Sequence, residues 1–425
     1  MKTTRQKVFL AVALIGLVYF GLLCIPNLRG AQTEGMLAKT SIDEPVTYPY
    51  VVRMLTPAHS PKELFERWVI YGDYHYGYPF YLLSALVVLP VRLVYGGLFV
   101  NHTGLNLFLL RQLISVLPML LACILVVYLF TSFRSGWQTF VLLGVLLTTR
   151  GIVRQNIQWW HPDALSVLAV VLTLFFLTRD RLRFGRNFYI AALACGLAAI
   201  IKLAGLFFFL AVGGYLAAGL IRKVLTLRKA LIAGLLFLGI MLATMLVSEP
   251  VVYNAGARQE IVKIQVYKSG ELDKGYTHDD PYYYTKGLQF WEWTLTRWFG
   301  NPWMLGFALL SLLAGCVWGP NRLLNRLILG WILPYSIYLG WFVAVKPDQY
   351  WLPVIVPLYG GLLNLVQIIK EGPAPAWLAH PSLKLALVAA VLVILGVFVA
   401  TNFARPASGI VDQVSAALMV EKNLK

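Results

Sequence analysis

The stretch Ser41-Ile-Asp-Glu-Pro-Val-Thr-Tyr-Pro-Tyr50 lies in a polar segment that follows the first long apolar run of the chain. Its most polar part is an adjacent acid pair, Asp43 and Glu44, which a proline follows. Ionised carboxylates are costly next to a lipid bilayer unless they face water or bind a partner group. The pair is therefore part of either a solvated loop or a site, and the remaining sequence decides between these two interpretations.

The composition indicates a membrane protein with several spans. Of 425 residues, 59% are hydrophobic and only 13% are charged, and the mean hydropathy is +0.70. An ordinary soluble domain has about 25% charged residues. We therefore expect a single all-α domain over residues 1–425 with about eleven transmembrane helices. All four cysteines lie within apolar runs, which is typical of small core residues rather than disulfides: Cys24, Cys123, Cys195 and Cys316.

Apolar runs and polar segments alternate along the chain. The first run, Val8–Pro26, is too long for a signal peptide and lacks a cleavage motif, so we expect a retained helix. Two long polar segments cover residues 27–78 and 248–301, and a shorter linker covers 371–382. The other apolar runs are Pro79–Val100, Asn106–Phe130, Trp137–Thr149, Ala164–Thr178, Tyr189–Ile201, Leu203–Ile221, Ala230–Val247, Pro302–Trp318, Leu327–Val345, Trp351–Ile369 and Leu383–Thr401.

Basic residues are distributed unevenly among the polar segments, which predicts the orientation. The N-terminal segment and a set of short loops hold 16 of the 36 bases but only two of the 19 acids. The positive-inside rule places these loops in the cytoplasm, and segments 27–78 and 248–301 are then external. This asymmetry accounts for the net charge of +17 without any nucleic-acid partner. The cytoplasmic bases are Lys2, Arg5, Lys7, Arg134, Arg179, Arg181, Arg183, Arg186, Arg222, Lys223, Arg228, Lys229, Arg322, Arg326, Lys370 and Lys384.

The run Pro79–Val100 is long enough to cross the bilayer, but we expect that it does not. If Asp43 is external and Arg134 is cytoplasmic, an odd number of crossings separates them, whereas two apolar runs lie between them. A proline and a pair of glycines within this run suit a bent, half-embedded segment. The segment would then extend the external surface near Asp43.

Polar residues of chemical interest collect on the external side in this topology. An aromatic run, Tyr71–Tyr81, suits the membrane interface or a sugar-binding surface, and Ser60-Pro-Lys-Glu63 predicts the start of a surface helix. The external polar residues are Asp43, Glu44, His75, Arg150, Arg154, His161, Asp163, Lys202, His278, Asp279, Asp280, Lys346, Asp348 and Tyr350.

The order of several motifs resembles the GT-C superfamily of integral membrane glycosyltransferases. The likeness is to enzymes with a polyprenyl-monophosphate sugar donor, such as protein O-mannosyltransferases and lipid A aminoarabinose transferases. It extends from the first helix to about Gly361, and its strength lies in the order and shared side of short motifs. These motifs are Asp43-Glu44, Tyr76-Gly-Tyr-Pro-Phe-Tyr-Leu-Leu83, Arg111-Gln-Leu-Ile-Ser115, His161-Pro-Asp163, Gly196-Leu-Ala-Ala-Ile-Ile-Lys202 and Tyr350-Trp-Leu-Pro-Val-Ile-Val-Pro357.

The resemblance implies an inverting sugar transfer with Asp43 as the general base. Such a carboxylate takes the proton of the acceptor hydroxyl as this attacks the anomeric carbon. Glu44 lies beside it, and Asp163 matches a second acid of the family's site. The alternative for Asp163 is a helix N-terminal acid that the helix dipole favours.

The resemblance also implies cations that bind the donor phosphate. Lys202 matches the family's phosphate-binding lysine, which would stabilise the growing charge of the leaving group; the alternative is a lysine that reaches to the membrane interface. Lys346 and Tyr350 would form a second phosphate contact. The family often has arginine where this chain has Gln349, which weakens that second assignment.

Four residues of the external segments are candidates for an acceptor surface or a lid: His75, Tyr78, His278 and Asp279. The histidines and neighbouring aspartates could in principle bind a metal, but no metal-binding spacing such as HxH or HExxH is present. We therefore expect neither a metal ion nor another cofactor.

Polar residues in a membrane would also suit a transporter or a lipid flippase. The acids collect in external loops and the two halves show no repeat, which favours the enzyme. A non-catalytic scaffold, by contrast, would tolerate the loss of Asp43. The expected partners are a polyprenyl-phosphate sugar donor, membrane lipids and an unidentified glycan, lipid or protein acceptor. The expected location is a bacterial or archaeal plasma (inner) membrane, with the site facing outside.

Overall fold

The structure, a computed structural model, consists of helices and the turns that connect them. It describes residues 2–29, 32–33, 35–37, 43–276, 280–346, 348–371 and 380–423. Within these ranges there is no β-strand, so the all-α prediction is confirmed. The predicted lid residues His278 and Asp279 lie outside the described residues, as does most of the predicted linker 371–382.

The helices follow the predicted apolar runs and add several in the polar segments. In chain order, the first are α1 (Lys2–Asn27), α2 (Glu44–Leu55), α3 (Pro61–Val69), α4 (Tyr78–Tyr95), α5 (Thr103–Leu110), α6 (Leu117–Thr131), α7 (Gly136–Thr148), α8 (Arg150–Gln155), α9 (Asp163–Asp180) and α10 (Arg186–Lys202). Next come α11 (Phe209–Ile221), α12 (Leu227–Val247), α13 (Ala255–Lys274), α14 (Glu292–Arg297), α15 (Pro302–Val317), α16 (Arg322–Ile337), α17 (Leu352–Gly360), α18 (Asn364–Glu371) and α19 (Pro381–Asn423). Short 3-10 or π segments lie at Gly96–His102, Arg111–Val116, Ala204–Phe208, Pro250–Tyr253, Pro281–Tyr283, Tyr338–Phe342, Asp348–Trp351 and Gly361–Leu363.

Several of these helices are long and apolar enough to cross a membrane, which identifies an integral membrane protein. Seven such spans occur in the described part of the chain: Thr4–Asn27, Tyr78–Thr131, Ala204–Ile221, Leu227–Val247, Arg322–Phe342, Asp348–Lys370 and Pro381–Asn402. Two shorter apolar helices, α7 and α15, accompany them. The predicted total of about eleven crossings stays a prediction.

Helices α6, α9 and α10 form the centre of the fold, and their packing brings two polar residues together. Helix α9 packs along α10 and α6, and α10 also packs on α12. A Cβ atom added at Gly196 would lie 2.7 Å from the carbonyl oxygen of Met241, so glycine permits the close approach of α10 to α12. Asp163 begins α9 and Lys202 ends α10, and they meet at the same end of this helix pair.

The predicted surface helix starts as expected, with Ser60 as its N-cap and Pro61 as its first residue. Ser60 Oγ accepts a hydrogen bond from the backbone N–H of Glu63 at 3.1 Å, and the Glu63 carboxylate accepts one from the backbone N–H of His59 at 2.7 Å. Leu64 and Phe65 of α3 are exposed, as suits a helix that rests on a membrane surface.

Helix α4 packs along α2, with contacts at its far end. The Arg92 side chain donates to the carbonyl oxygen of Leu55 at 3.0 Å, and Asn106 of α5 donates to the Tyr48 hydroxyl at 2.8 Å. The C-terminal end of α4 therefore lies beside the C-terminal end of α2, the helix that Asp43 precedes. That residues 79–100 do not cross the membrane stays a prediction, since α4 is part of a stretch long and apolar enough to cross.

Labelling of single cysteines with a membrane-impermeant thiol reagent tests this topology. In intact cells that carry an otherwise cysteine-free protein, His102→Cys is expected to react from outside. Arg134→Cys is expected to react only after permeabilisation. If His102 also reacts only after permeabilisation, the segment crosses and the proposed orientation is wrong.

Candidate active site

Asp43 lies directly before α2 and is partly exposed. Its Oδ2 accepts a hydrogen bond from Nε1 of Trp159 at 3.0 Å. The Lys202 ammonium and the hydroxyls of Tyr76 and Tyr350 lie within electrostatic range of its charge. One indole donor thus orients the carboxylate while water can still reach it, as a proton acceptor requires.

Glu44 has a very different environment from its neighbour. It is fully buried, and its two oxygens accept hydrogen bonds from Nε and Nη2 of Arg111 at 2.8 and 2.5 Å. The backbone N–H of Trp160 donates to Glu44 at 2.7 Å, and Arg111 also donates to the carbonyl oxygens of Asn27 and Arg29. Glu44 therefore joins α2, the end of α1 and the Arg111 segment. These contacts favour a positioning role for Glu44 over the predicted catalytic one.

A series of polar contacts near Asp43 links Lys202 to Tyr76 through Asp163 and His161. The buried Asp163 forms an ion pair with Lys202 through Oδ1, and its Oδ2 lies 2.6 Å from Nδ1 of His161. Nε2 of His161 forms a hydrogen bond with the Tyr76 hydroxyl at 2.8 Å. The structure thus brings the predicted residues Asp163 and Lys202 together and adds His161 and Tyr76 to them.

Lys202 is bounded by acids and an aromatic ring, and a second lysine lies near it. Its Nζ lies 4.3 Å from the centre of the Tyr350 ring, which supports the prediction that both residues belong to one site. Lys268 of α13 lies within electrostatic range of Lys202, with its Nζ 4.9 Å from the ring centre of Tyr76. Burial and then the like charge of Lys202 lower the pKa of Lys268 to about 8. Two neighbouring cations suit an anionic ligand.

Lys346 is placed differently from the prediction. Its buried Nζ donates to the backbone carbonyl oxygens of Thr285, Val343 and Ala344 at 2.6, 3.0 and 3.3 Å. Burial lowers its pKa to about 8. An ammonium has three donors, and all three are used here. In this conformation Lys346 therefore joins the segment after α16 to Thr285 and does not support the predicted phosphate contact.

The predicted acceptor residues His75 and Tyr78 lie on an aromatic surface beside Tyr76. Nδ1 of His75 lies 2.6 Å from Oδ1 of Asp73, and its backbone carbonyl accepts a hydrogen bond from Lys268. The Tyr78 ring lies 5.6 Å from the ring of Tyr71. This surface is therefore joined to the lysine pair through Lys268.

Glu249, which follows α12, forms hydrogen bonds to two residues of this aromatic surface. Its carboxylate accepts hydrogen bonds from the backbone N–H of Tyr78 at 2.9 Å and from the Tyr71 hydroxyl at 3.2 Å. Burial raises the pKa of Glu249 to about 7 from a usual 4.5, although both hydrogen bonds act in the opposite direction. The folded protein therefore keeps a proton that the unfolded chain releases at lower pH.

This shift predicts a pH dependence of stability. The protonated Glu249 contributes to the free energy of unfolding on the order of 1–3 kcal/mol. This contribution is fully present below about pH 4.5 and is lost as the pH rises to about 7. Glu249→Gln should remove this decline, as measured by thermal unfolding in detergent between pH 5 and 8. The exposed control Glu260→Gln should decline like the wild type, and an unchanged slope in Glu249→Gln would contradict the assignment.

Among the described residues, no group of three or more His, Cys, Asp or Glu side chains is placed to hold a metal ion. The site combines one oriented carboxylate, two neighbouring ammonium groups and an aromatic surface. Chemically, this set can accept a proton and stabilise a phosphate leaving group without a metal. Metal-independent chemistry stays a prediction.

The comparisons with known proteins find likeness in structure alone. The sequence matches no protein-family profile and no curated protein. Among solved structures, ArnT from Cupriavidus metallidurans bound to undecaprenyl phosphate is 15% identical, with a TM-score of 0.56, and the match covers 97% of this chain and 74% of that one. The apo form of ArnT is 13% identical with a TM-score of 0.50, and the match covers 97% of this chain and 74% of that one.

An oligosaccharyltransferase from Archaeoglobus fulgidus in the apo form is also similar. It is 14% identical with a TM-score of 0.50, and the match covers 92% of this chain but only 56% of that one. The chain thus spans about three quarters of ArnT and just over half of the oligosaccharyltransferase. It has the fold of the GT-C superfamily of membrane glycosyltransferases, as its ordered motifs predict.

Proposed function

We propose that the protein transfers a sugar from a polyprenyl-monophosphate donor to an acceptor hydroxyl, with inversion at the anomeric carbon. The observation that carries the proposal is the set of contacts that connects Asp43 to Lys202. Trp159 donates to Asp43, and its ring lies 5.0 Å from that of His161. Asp163 links His161 to Lys202. A base and a paired cation are the two elements that this reaction needs. The undecaprenyl phosphate bound to ArnT, a protein of similar fold, supports the donor class.

In the proposed step, the acceptor O–H loses its proton to Asp43 while its oxygen bonds to the anomeric carbon. The bond between that carbon and the phosphate oxygen breaks, and the phosphate leaves with the electron pair. Lys202 and Lys268 stabilise the charge that grows on the phosphate. Trp159 holds the Asp43 carboxylate through the 3.0 Å hydrogen bond.

Asp163 acts in this proposal through Lys202. Because it is buried and paired with both Lys202 and His161, it is not free to accept a proton from a substrate. It holds the ammonium at one end of the site, where the Tyr350 ring bounds it. The aromatic surface with His75 and Tyr78 would bind the acceptor.

The proposed side of the membrane follows from charge. The base-rich loops lie at the opposite end of α9 from Asp163, and the positive-inside rule places such loops in the cytoplasm. The site then faces outside, in a bacterial or archaeal plasma membrane.

The direct test is an assay with purified protein and radiolabelled polyprenyl-phosphate sugars. We expect one donor to be hydrolysed slowly or transferred to an added acceptor, and we expect this activity to survive a chelator. If no donor is consumed, while labelled lipid-linked sugars cross the membrane of vesicles that contain the protein, the flippase alternative replaces the proposal. Activity that a chelator abolishes and one divalent ion restores would show a metal requirement.

Lys202→Ala should weaken donor binding by about 10–100-fold as well as lower turnover, because a charge-assisted contact to the phosphate is worth about 1.5–3 kcal/mol. The measurement is a donor titration followed by tryptophan fluorescence. Since the variant leaves Asp163 buried without its partner, the double variant Lys202→Met/Asp163→Asn should show the same loss in a neutral site. Lys263→Ala, on the exposed face of α13, should bind normally, and normal binding by the double variant would return Lys202 to an interfacial role.

A further inference from the structure

Two adjoining cavities lie at the end of α9 that is opposite to Asp163. One, of about 790 Å³, is almost wholly apolar and is formed by α1, α6 and α9. The other, of about 640 Å³, has a mixed lining whose arginines and asparagines come from the end of α9, the start of α10 and the loops that follow α9 and precede α16. The 18 residues of α9 span about 27 Å; the basic cavity lies at the helix end away from Asp163, and the apolar cavity extends back along α9 as far as Leu168.

The two cavities share part of their lining. Tyr128, Phe175 and Arg179 line both, so the apolar space opens directly into the basic one. Phe9 and Leu121, on the wall of the apolar cavity, are 52% and 45% exposed, which places its opening on the lipid-facing side of the helices. A ligand that fills both must carry a hydrocarbon chain and a polar headgroup.

Four arginines surround the junction and the basic cavity. Arg5 donates to the Tyr128 hydroxyl at 3.3 Å, and the Arg179 guanidinium lies 5.8 Å from the centre of the Phe175 ring. Arg181 and Arg183 line the basic cavity. Within the described part of the chain, none of the four forms an ion pair with a carboxylate. Their charges therefore suit an external anion.

The acid nearest in sequence, Asp180, is used to build the loop. Its carboxylate accepts hydrogen bonds from the backbone N–H groups of Phe184 and Gly185 at 2.8 and 2.9 Å and from the Tyr215 hydroxyl at 2.6 Å. The backbone of this loop is strained: Arg181, Leu182 and Phe184 have φ values of 53°, 60° and 54°, which residues other than glycine rarely adopt. Such strain persists only where the surroundings fix it, and here the hydrogen bonds of Asp180 fix the loop that carries Arg181 and Arg183.

We propose that these cavities bind an anionic phospholipid of the membrane leaflet opposite to the active site. One acyl chain occupies the apolar cavity between α1, α6 and α9, and the phosphate lies among Arg5, Arg179, Arg181 and Arg183. Basic pockets between membrane helices bind anionic headgroups in this way. The positive-inside rule alone would explain the arginines, but it would explain neither the apolar cavity beside them nor the fixed loop that carries two of them.

The test uses the purified full-length protein in a neutral detergent and does not depend on sugar transfer. Native mass spectrometry and thermal unfolding are followed with phosphatidylglycerol, with phosphatidylcholine of the same acyl chains, and with glycerol phosphate. We expect a 1:1 adduct and a higher unfolding temperature with phosphatidylglycerol alone, since a ligand of the folded state stabilises it. Equal binding of phosphatidylcholine, or equal binding of glycerol phosphate, would overturn the proposal.

Variants then locate the site. Arg181→Gln/Arg183→Gln should weaken the phosphatidylglycerol adduct about tenfold, and Leu125→Trp should weaken it by filling the apolar cavity with all charges intact. The matched control Arg222→Gln/Arg228→Gln removes two exposed bases, one directly after α11 and one in the first turn of α12, outside both cavities. It should bind like the wild type, and a loss as large as that of the pocket variant would show general charge attraction instead. The comparison of lipids in the wild-type protein decides the proposal even if a variant fails to fold.

Discussion

Replacing Asp43 with asparagine is expected to lower the turnover of sugar transfer by about 10²–10⁴-fold, the usual contribution of a general base. Asparagine keeps an oxygen that can accept the hydrogen bond from Nε1 of Trp159, so the local geometry should be preserved. What is lost is the ability to take the proton of the acceptor. Donor affinity should therefore stay close to that of the wild type, and the effect should appear in turnover.

The measurement is transfer of a radiolabelled sugar at saturating donor, with donor affinity determined separately. Asp273→Asn is the matched control, because Asp273 is an exposed acid on α13 whose partner is the surface residue Lys286. It should transfer normally. Transfer by Asp43→Asn at nearly the wild-type rate would exclude Asp43 as the base and favour the scaffold or flippase interpretation.

The fold could be predicted from the sequence because membrane proteins reveal their helices in composition. Long apolar runs identify the spans, since backbone groups in lipid need partners within a helix. The acid pair and Lys202 could be placed on one side because loop charge predicts orientation. The ion pair of Asp163 with Lys202 then follows from the antiparallel packing of α9 on α10.

The division of labour between Asp43 and Glu44 could not be predicted. The two acids are adjacent in sequence, and only the tertiary structure shows that Glu44 binds an arginine 67 residues away. Lys268 was missed for a similar reason, because it lies on a polar helix with no motif around it. For Lys346 the sequence suggested a role that the structure does not support. Its position suggested a phosphate contact, but its three N–H donors bind backbone carbonyl oxygens.

Arg111→Met should destabilise the protein by about 3–5 kcal/mol, because it leaves the buried Glu44 carboxylate without the opposite charge of Arg111. Arg111 also bonds the carbonyl oxygens of Asn27 and Arg29, so the end of α1 should loosen together with α2. The measurement is thermal unfolding in detergent, combined with limited proteolysis of the segment around residues 27–55. Turnover should also fall, since Asp43 is attached to the N-terminus of α2.

The double variant Glu44→Gln/Arg111→Met separates lost charge pairing from lost packing. Replacing both partners by neutral groups removes the buried charge and should restore much of the stability. Lys286→Met breaks the exposed pair with Asp273, and water screening should leave stability nearly unchanged there. If Arg111→Met were as stable as Lys286→Met, the buried pair would not hold α2, and the position of Asp43 would need another cause. If only the double variant recovers both stability and transfer, Glu44 acts by positioning Asp43 and takes no part in proton transfer.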